Sequence, residues 1–134
     1  MERILIAYDG SESAERALDE VARMANGSAV TVVSVAELLP QVGRAGAMML
    51  PEVYAERETQ LEEAKAKLAK LGVDAKTVER RGDAAEMIID EAEQEKADLI
   101  VVGTRGLSTA RSWMLGSVSS RVMHHAPCNV LVVR

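Results

Sequence analysis

The chain has 134 residues, of which 48% are hydrophobic and 2% aromatic, and this length predicts one domain with one core over residues 1–134. Its net charge of −5 and its few aromatic residues argue against nucleic-acid binding, which depends on basic surfaces and stacking. The single cysteine, Cys128, excludes an internal disulfide, and no apolar run is long enough to span a membrane, so we expect a protein of the cytoplasm.

The first part of the chain predicts strand, helix and strand in turn. The apolar run over residues 3–8 is typical of a buried parallel strand, and it ends at Asp9-Gly10-Ser11, a turn with helix-capping residues. A helix with an apolar face follows and stops at Asn26-Gly27, before a β-branched strand over residues 29–35. The irregular stretch over residues 37–51 is either a loose surface loop or a cover for a ligand.

The later elements continue this alternation. They are a helix over residues 51–71, a charged edge strand over 73–79, a helix capped by Asp83, a strand over 99–102, a helix over 117–125 and a strand over 130–133. Strands alternating with helices predict the α/β class, as an open doubly wound parallel sheet with helices on both faces. Ligands of such sheets bind beyond the carboxyl ends of the strands, where the winding reverses.

A glycine-rich stretch between the fourth strand and the last helix is the strongest functional signal. The strand runs into Gly103 and Gly106, and Gly116-Ser117 opens the helix. Glycines let a ligand approach the backbone, and a helix start presents unpaired N–H groups to anions. On the residues alone, a phosphate site and an ordinary strand-to-helix connection are equally good interpretations. A dinucleotide fingerprint and a P-loop are both excluded, because their glycine and lysine patterns are absent.

The spacing of these residues resembles the nucleotide-binding signature of the universal stress protein family, in its ATP-binding branch. Two residues separate Gly103 from Gly106, and nine separate Gly106 from Gly116-Ser117. The resemblance extends from the opening Arg-Ile-Leu-Ile-Ala-Tyr-Asp-Gly-Ser to the closing His-Ala-Pro-Cys-Asn-Val-Leu-Val-Val. It implies a five-stranded, Rossmann-like sheet of order 3-2-1-4-5, similar to adenine nucleotide alpha hydrolases. It also implies ATP, with Mg²⁺, as the ligand.

The resemblance and the topology together give a set of candidate binding residues. These are Ala7, Tyr8, Asp9, Val35, Val102, Gly103, Arg105, Gly106, Gly116, Ser117, Val118 and Ser119. The backbone of the glycine stretch would hold the phosphates, helped by the hydroxyls of Ser117 and Ser119, although Ser117 also suits a plain N-cap. In similar proteins the residue equivalent to Asp9 accepts a hydrogen bond from the adenine amino group. Ala7, Tyr8 and Val35 would line the base pocket by the same resemblance, with Tyr8 more readily interpreted as a core residue.

Positive charge for the phosphates has to come from arginines, since no lysine follows Lys96. Arg105 and Arg111 lie in the glycine loop and are better candidates than Arg121, although solvated loop arginines are an equally good interpretation. His124 and Cys128 have metal-like spacing, but no third ligand accompanies them, and we predict no metal site.

The resemblance implies a nucleotide-responsive stress regulator, and the sequence favours binding over catalysis because no general base is placed for water attack. A slow ATPase using the same site and an interaction module with an empty loop are the alternatives. We also expect a homodimer through the uncharged last strand, residues 130–133, which would otherwise leave a bare apolar edge. Similar proteins commonly pair antiparallel through this strand.

Overall fold

Strands and helices alternate in the computed structural model, which describes residues 2–37, 51–104 and 116–134. The elements are β1 (Arg3–Ala7), α1 (Glu12–Met24), β2 (Ala29–Ala36), α2 (Pro51–Lys70), β3 (Ala75–Arg81), α3 (Ala84–Glu95), β4 (Leu99–Gly103), α4 (Ser117–His125) and β5 (Asn129–Val133). Every predicted element is present, and the bounds differ from the predicted ones by up to two residues. In the described ranges no helix combines the length and the apolar character that crossing a membrane requires.

The five strands form one parallel sheet of order β3-β2-β1-β4-β5, which confirms the predicted topology. Ile6 of β1 lies opposite Val32 of β2 on one side and Val101 of β4 on the other. The winding of the chain reverses between β1 and β4. Because crossover connections diverge there, the carboxyl ends of these two strands border a crevice.

Helices cover both faces of the sheet, and a core lies under each pair. The helices α1 and α2 pack on the face that carries Ile4 and Ile6, whereas α3 and α4 cover the face that carries Leu5 and Ile100. Successive strand residues point to opposite faces, so the central strands must be apolar throughout to fill both cores. The sequence of β1 meets this condition, with residues 4–6 all buried.

Local capping sets where the helices begin. The Ser11 hydroxyl accepts a hydrogen bond from Ala14 N at 3.2 Å and starts α1. The Asp83 carboxylate accepts from Glu86 N at 3.0 Å and starts α3, as its position in the sequence predicts. These caps fix the first turns of two helices at the carboxyl edge of the sheet, where the site lies.

Candidate functional site

A cavity of about 360 Å³ opens at the carboxyl ends of the central strands. All predicted site residues that the structure describes line it: Ala7, Tyr8, Asp9, Val35, Val102, Gly103, Gly116, Ser117, Val118 and Ser119. The structure therefore brings the end of β1 and the start of α4 to one cavity, although more than half of the chain separates them. Arg105, Gly106 and Arg111 lie outside the described residues.

Further residues complete the cavity wall. They are Ser11, Ala14, Val33, Glu37, Arg57, Asp83, Ala84, Ile88, Thr104 and Arg121. Six of them cap or begin a helix or follow a strand directly, so their position could have been inferred from the topology: Ser11, Ala14, Glu37, Asp83, Ala84 and Thr104. Arg57, in the second turn of α2, carries no such signal.

The start of α4 offers main-chain donors to the cavity. Gly116 is the N-cap, with φ −70° and ψ 163°, and no side chain caps the helix. Ser117 is the first helical residue, so the interpretation of Ser117 as the N-cap is wrong. The first N–H groups of a helix have no intrahelical acceptors and carry the positive end of the helix dipole. This end of the cavity is therefore suited to an anion.

Ser119 has a structural role that its sequence position does not reveal. Its hydroxyl is buried and lies 3.1 Å from the carbonyl oxygens of both Thr104 and Gly116. Gly116 N also donates to Thr104 O at 2.6 Å, and Thr104 N donates to Val133 O at 2.8 Å. The hydroxyl proton is thus directed at main-chain carbonyls rather than at a ligand, and Ser119 joins the end of β4 to the start of α4.

Gly103 is required by the packing of β4 against α1. A Cβ atom added at this position would lie 2.3 Å from Ser13 Oγ and 3.0 Å from Ala14 N. A side chain at this position would require Ser13 Oγ to move and the start of α1 to shift slightly, so glycine is the residue that best fits this close approach. The first glycine of the motif therefore has a packing function in addition to any contact with a ligand.

Asp9 closes the turn between β1 and α1. Its Oδ1 atom accepts a hydrogen bond from Ser11 N at 2.9 Å, which is the geometry of an Asx-turn. One carboxylate oxygen is thus engaged by the turn, and a ligand's amino group would have to be recognised by the other. This arrangement keeps Asp9 at the carboxyl end of β1 with its backbone fixed.

Tyr8 belongs to the core as well as to the cavity wall. Its side chain is buried among the residues under α1 and α2, and its hydroxyl donates to Glu15. Glu15 also accepts from Lys67 Nζ at 2.9 Å, so the phenol is linked to α2. Burial, and then the neighbouring Glu15 carboxylate, raises the pKa of Tyr8 far above its usual range. The interpretation of Tyr8 as a core tyrosine agrees with this environment.

An ion pair connects the starts of α3 and α4 at the cavity rim. Arg121 Nη1 lies 3.0 Å from Asp83 Oδ1. The N–H of Glu86, and then Arg121, lowers the pKa of Asp83 below its usual value. Among the described residues no group of three His, Cys, Asp or Glu side chains could hold a metal ion.

Comparisons with known proteins agree with this fold. The model of the universal stress protein family matches residues 1–134. A universal stress protein of Thermus aquaticus is 40% identical, over 98% of this chain and 97% of that protein. A universal stress protein from Archaeoglobus fulgidus, solved in complex with dAMP, is 26% identical with a TM-score of 0.79, covering 100% of this chain and 98% of that one.

A second solved structure carries another adenine nucleotide. This universal stress protein, in complex with cAMP, is 25% identical to the chain with a TM-score of 0.77, covering 99% of this chain and 97% of that one. Three observations lead to the same assignment: the strand order, the family match over all 134 residues and the 40% identity to the Thermus aquaticus protein. The chain belongs to the universal stress protein family.

Proposed function

We propose that the chain, as one domain over residues 1–134, is an ATP-binding universal stress protein that acts as a nucleotide-responsive regulator. The observation that carries this proposal is the convergence of all described candidate residues on one cavity at the reversal of the sheet winding. Relatives of the same fold were solved with dAMP and with cAMP, which supports an adenine nucleotide as the ligand. The single cysteine favours a reducing compartment, and we place the protein in the cytoplasm.

The two ends of the cavity suit the two ends of ATP. In our proposal the phosphates bind the uncapped start of α4. Gly103 and Gly116 have no side chains, so the phosphates can approach the main chain there. The adenine lies toward Asp9, between the apolar side chains of Ala7 and Val35. Magnesium is commonly held by substrate phosphates and one or two carboxylates. Since the described residues offer no three-ligand cluster, the ion would be bound mainly through the phosphates.

Calorimetric titration of ATP with Mg²⁺ tests the proposal. We expect saturable binding by the wild-type chain and its loss in Gly116→Val, whose side chain would project where the phosphates approach the helix start. Ala66→Val, at an exposed position of α2, introduces the same side chain away from the cavity and should bind as wild type does. Absence of heat and of any thermal shift at millimolar ATP in the wild-type protein would contradict the proposal.

A slow ATPase is the second candidate function for the same cavity. Three carboxylates of the described ranges line the cavity: Asp9 is engaged in its turn, Asp83 is paired with Arg121, and Glu37 is exposed to solvent. Since no contact with another described residue positions Glu37 as a base, we expect hydrolysis to be slow. A steady-state turnover above about 1 s⁻¹, at the low end of ordinary enzyme rates, would favour the enzyme.

We also propose a homodimer that pairs through β5. This strand lies at one edge of the sheet, hydrogen-bonded to β4 alone among the described strands, and Val130 to Val133 are only half-buried. An uncharged edge strand left bare invites uncontrolled association. Antiparallel pairing across a two-fold axis would satisfy its free N–H and C=O groups and bury these side chains.

A further inference from the structure

The two arginines that line the cavity in the described ranges differ in how their guanidinium groups are paired. Arg121 is held by Asp83, and 50% of its side chain is exposed. Arg57 Nη1 donates to Gln60 Oε1 at 2.8 Å, but its Nε is buried and has no hydrogen-bond partner among the described residues. A buried donor that has lost water without gaining an acceptor is destabilising. Arg57 therefore lines the cavity with a guanidinium that is only partly paired, and a ligand that draws this group into the cavity would supply an acceptor for Nε.

The position of α2 assigns Arg57 to one end of the cavity. This helix packs on β2 and β3, whereas β4 and the start of α4 lie on the other side of β1. Gln60, one turn after Arg57, covers Gly10: a Cβ added to Gly10 would lie 2.9 Å from Gln60 Nε2. Because Gly10 follows Asp9, the Arg57–Gln60 pair stands beside the turn that carries the carboxylate, away from the helix start that suits phosphates.

We propose that Arg57 binds the nucleoside half of the ligand, with Nε donating to a base nitrogen or a ribose oxygen. Gln60 is then a positioning residue, since its carbonyl oxygen fixes the guanidinium plane from one side. The inference rests on the proposed nucleotide function and adds a ligand contact from α2. Arginine is suited to this task because its planar fork can hold Gln60 with one N–H and the ligand with another, which a lysine ammonium cannot reproduce.

Titration of adenosine, AMP and ATP into the wild-type chain and into Arg57→Met tests the inference. The substitution keeps an unbranched stem and removes the donors. A contact to the nucleoside predicts that the affinity for all three ligands falls by a common factor of at least about ten-fold. Arg57→Lys should not restore it, and Gln60→Leu should lower all three affinities by a smaller common factor. The unliganded Arg57→Met chain should unfold at no lower temperature than wild type, because it loses an unpaired buried donor.

Lys65→Met is the matched control, since it removes one positive charge from an exposed position of the same helix. We expect it to bind all three ligands as wild type does. A loss confined to ATP would place Arg57 on the phosphates and overturn the inference, and so would equal affinities of Arg57→Met and Lys65→Met. If the wild-type chain binds none of the three ligands, the proposed function fails as well. If wild type binds and Arg57→Met binds equally, only this inference fails.

Discussion

In the proposed site, the carboxylate of Asp9 would distinguish adenine from guanine. One of its oxygens holds the turn through Ser11 N, and the other would accept from an adenine amino group while repelling a guanine carbonyl. We expect Asp9→Asn to keep the turn, because an amide oxygen can replace Oδ1, and to narrow the preference for ATP over GTP by about ten-fold. Asp9→Ala should lower the affinity for ATP further. Competitive calorimetry of the two nucleotides measures the preference, and an unchanged ATP/GTP ratio in both variants would exclude Asp9 as its source.

The close contact at Gly103 predicts a cost in stability that does not involve the ligand. Gly103→Ala would bring a methyl group onto Ser13 Oγ and Ala14 N, and overpacking of this kind costs about 1–3 kcal/mol. The free energy of unfolding in urea, measured without nucleotide, should fall by this amount. In a Ser13→Ala background the loss should be smaller, since the nearest atom is gone. Equal stability of Gly103→Ala and wild type would show that the strand can shift away from α1.

At the scale of single elements, Asp83 both caps α3 and ties it to α4. It accepts from Glu86 N at 3.0 Å and lies 3.0 Å from Arg121 Nη1. Replacing an N-cap carboxylate by alanine costs about 0.5–2 kcal/mol, and we expect Asp83→Ala to lose this amount at pH 7. The pKa of Asp83 is lowered in the folded chain, so its ionic contribution is present above the unfolded pKa near 4 and disappears as the pH falls through the folded value.

Urea unfolding at pH 7, 5 and 3.5 measures this dependence. The difference between wild type and Asp83→Ala should be largest at pH 7 and narrow toward pH 3.5. Asp83→Ser keeps a capping oxygen without the charge, so its free energy of unfolding should lie between those of wild type and Asp83→Ala. Asp74→Ala, at an exposed position between α2 and β3, provides the control for a lost surface charge. A difference that stays constant across the three pH values would mean that the charge on Asp83 has no part in its contribution.

The order of the elements could be predicted from the sequence, whereas some of their ends could not. The third strand was predicted over residues 73–79 but runs over Ala75–Arg81. Val73 is apolar because its side chain lies in the core, and its N–H belongs to the end of α2, where it donates to Leu68 O at 2.8 Å. At the other end, Arg80 can extend the strand because it pairs with Asp90 at 2.6 Å and Glu91 at 2.7 Å. Local hydrophobicity reveals neither the hydrogen bond that ends α2 nor the ion pairs of Arg80.

The same limit applies to the candidate site. Residues such as Asp9 and Gly103 could be found because they follow strands whose ends meet at one edge. Arg57 could not, because the helical pattern of α2 does not show which of its charged residues lines the cavity. The role of Ser119 depends on the carbonyl of Thr104, which the sequence does not place next to it.

At the scale of the whole molecule, the proposed homodimer depends on β5. Val132→Pro would remove a backbone donor or distort the strand, and we expect it to weaken the dimer. Sedimentation equilibrium at micromolar concentrations should give the dimer mass for wild type and a concentration-dependent mixture for the variant. Thr77→Pro places the same residue on the opposite edge strand, β3, and should leave the association unchanged. Circular dichroism of both variants verifies that they fold.

Wild type at the monomer mass across this concentration range would rule out the dimer. A dimer that Val132→Pro leaves intact would move the interface away from β5. The two edge strands differ in charge, which is why we place the interface at β5 and not at β3. The strand β3 carries Lys76, Glu79, Arg80 and Arg81, and such an edge discourages pairing with another chain.

The buried phenol of Tyr8 predicts that the folded chain loses stability at alkaline pH. A tyrosine in an unfolded chain ionises near pH 10, whereas burial and Glu15 keep Tyr8 protonated well beyond that in the folded state. The stability that this difference provides is complete below about pH 10 and is lost as the pH rises through the folded pKa. The near-ultraviolet tyrosinate band of Tyr8, isolated by comparison with Tyr8→Phe, should therefore appear together with the loss of helical ellipticity. Since a bound ligand stabilises only the folded chain, nucleotide should move the appearance of the tyrosinate band to higher pH. The absorbance of Tyr8 in an alkaline titration would then report, without a label, whether the site is occupied.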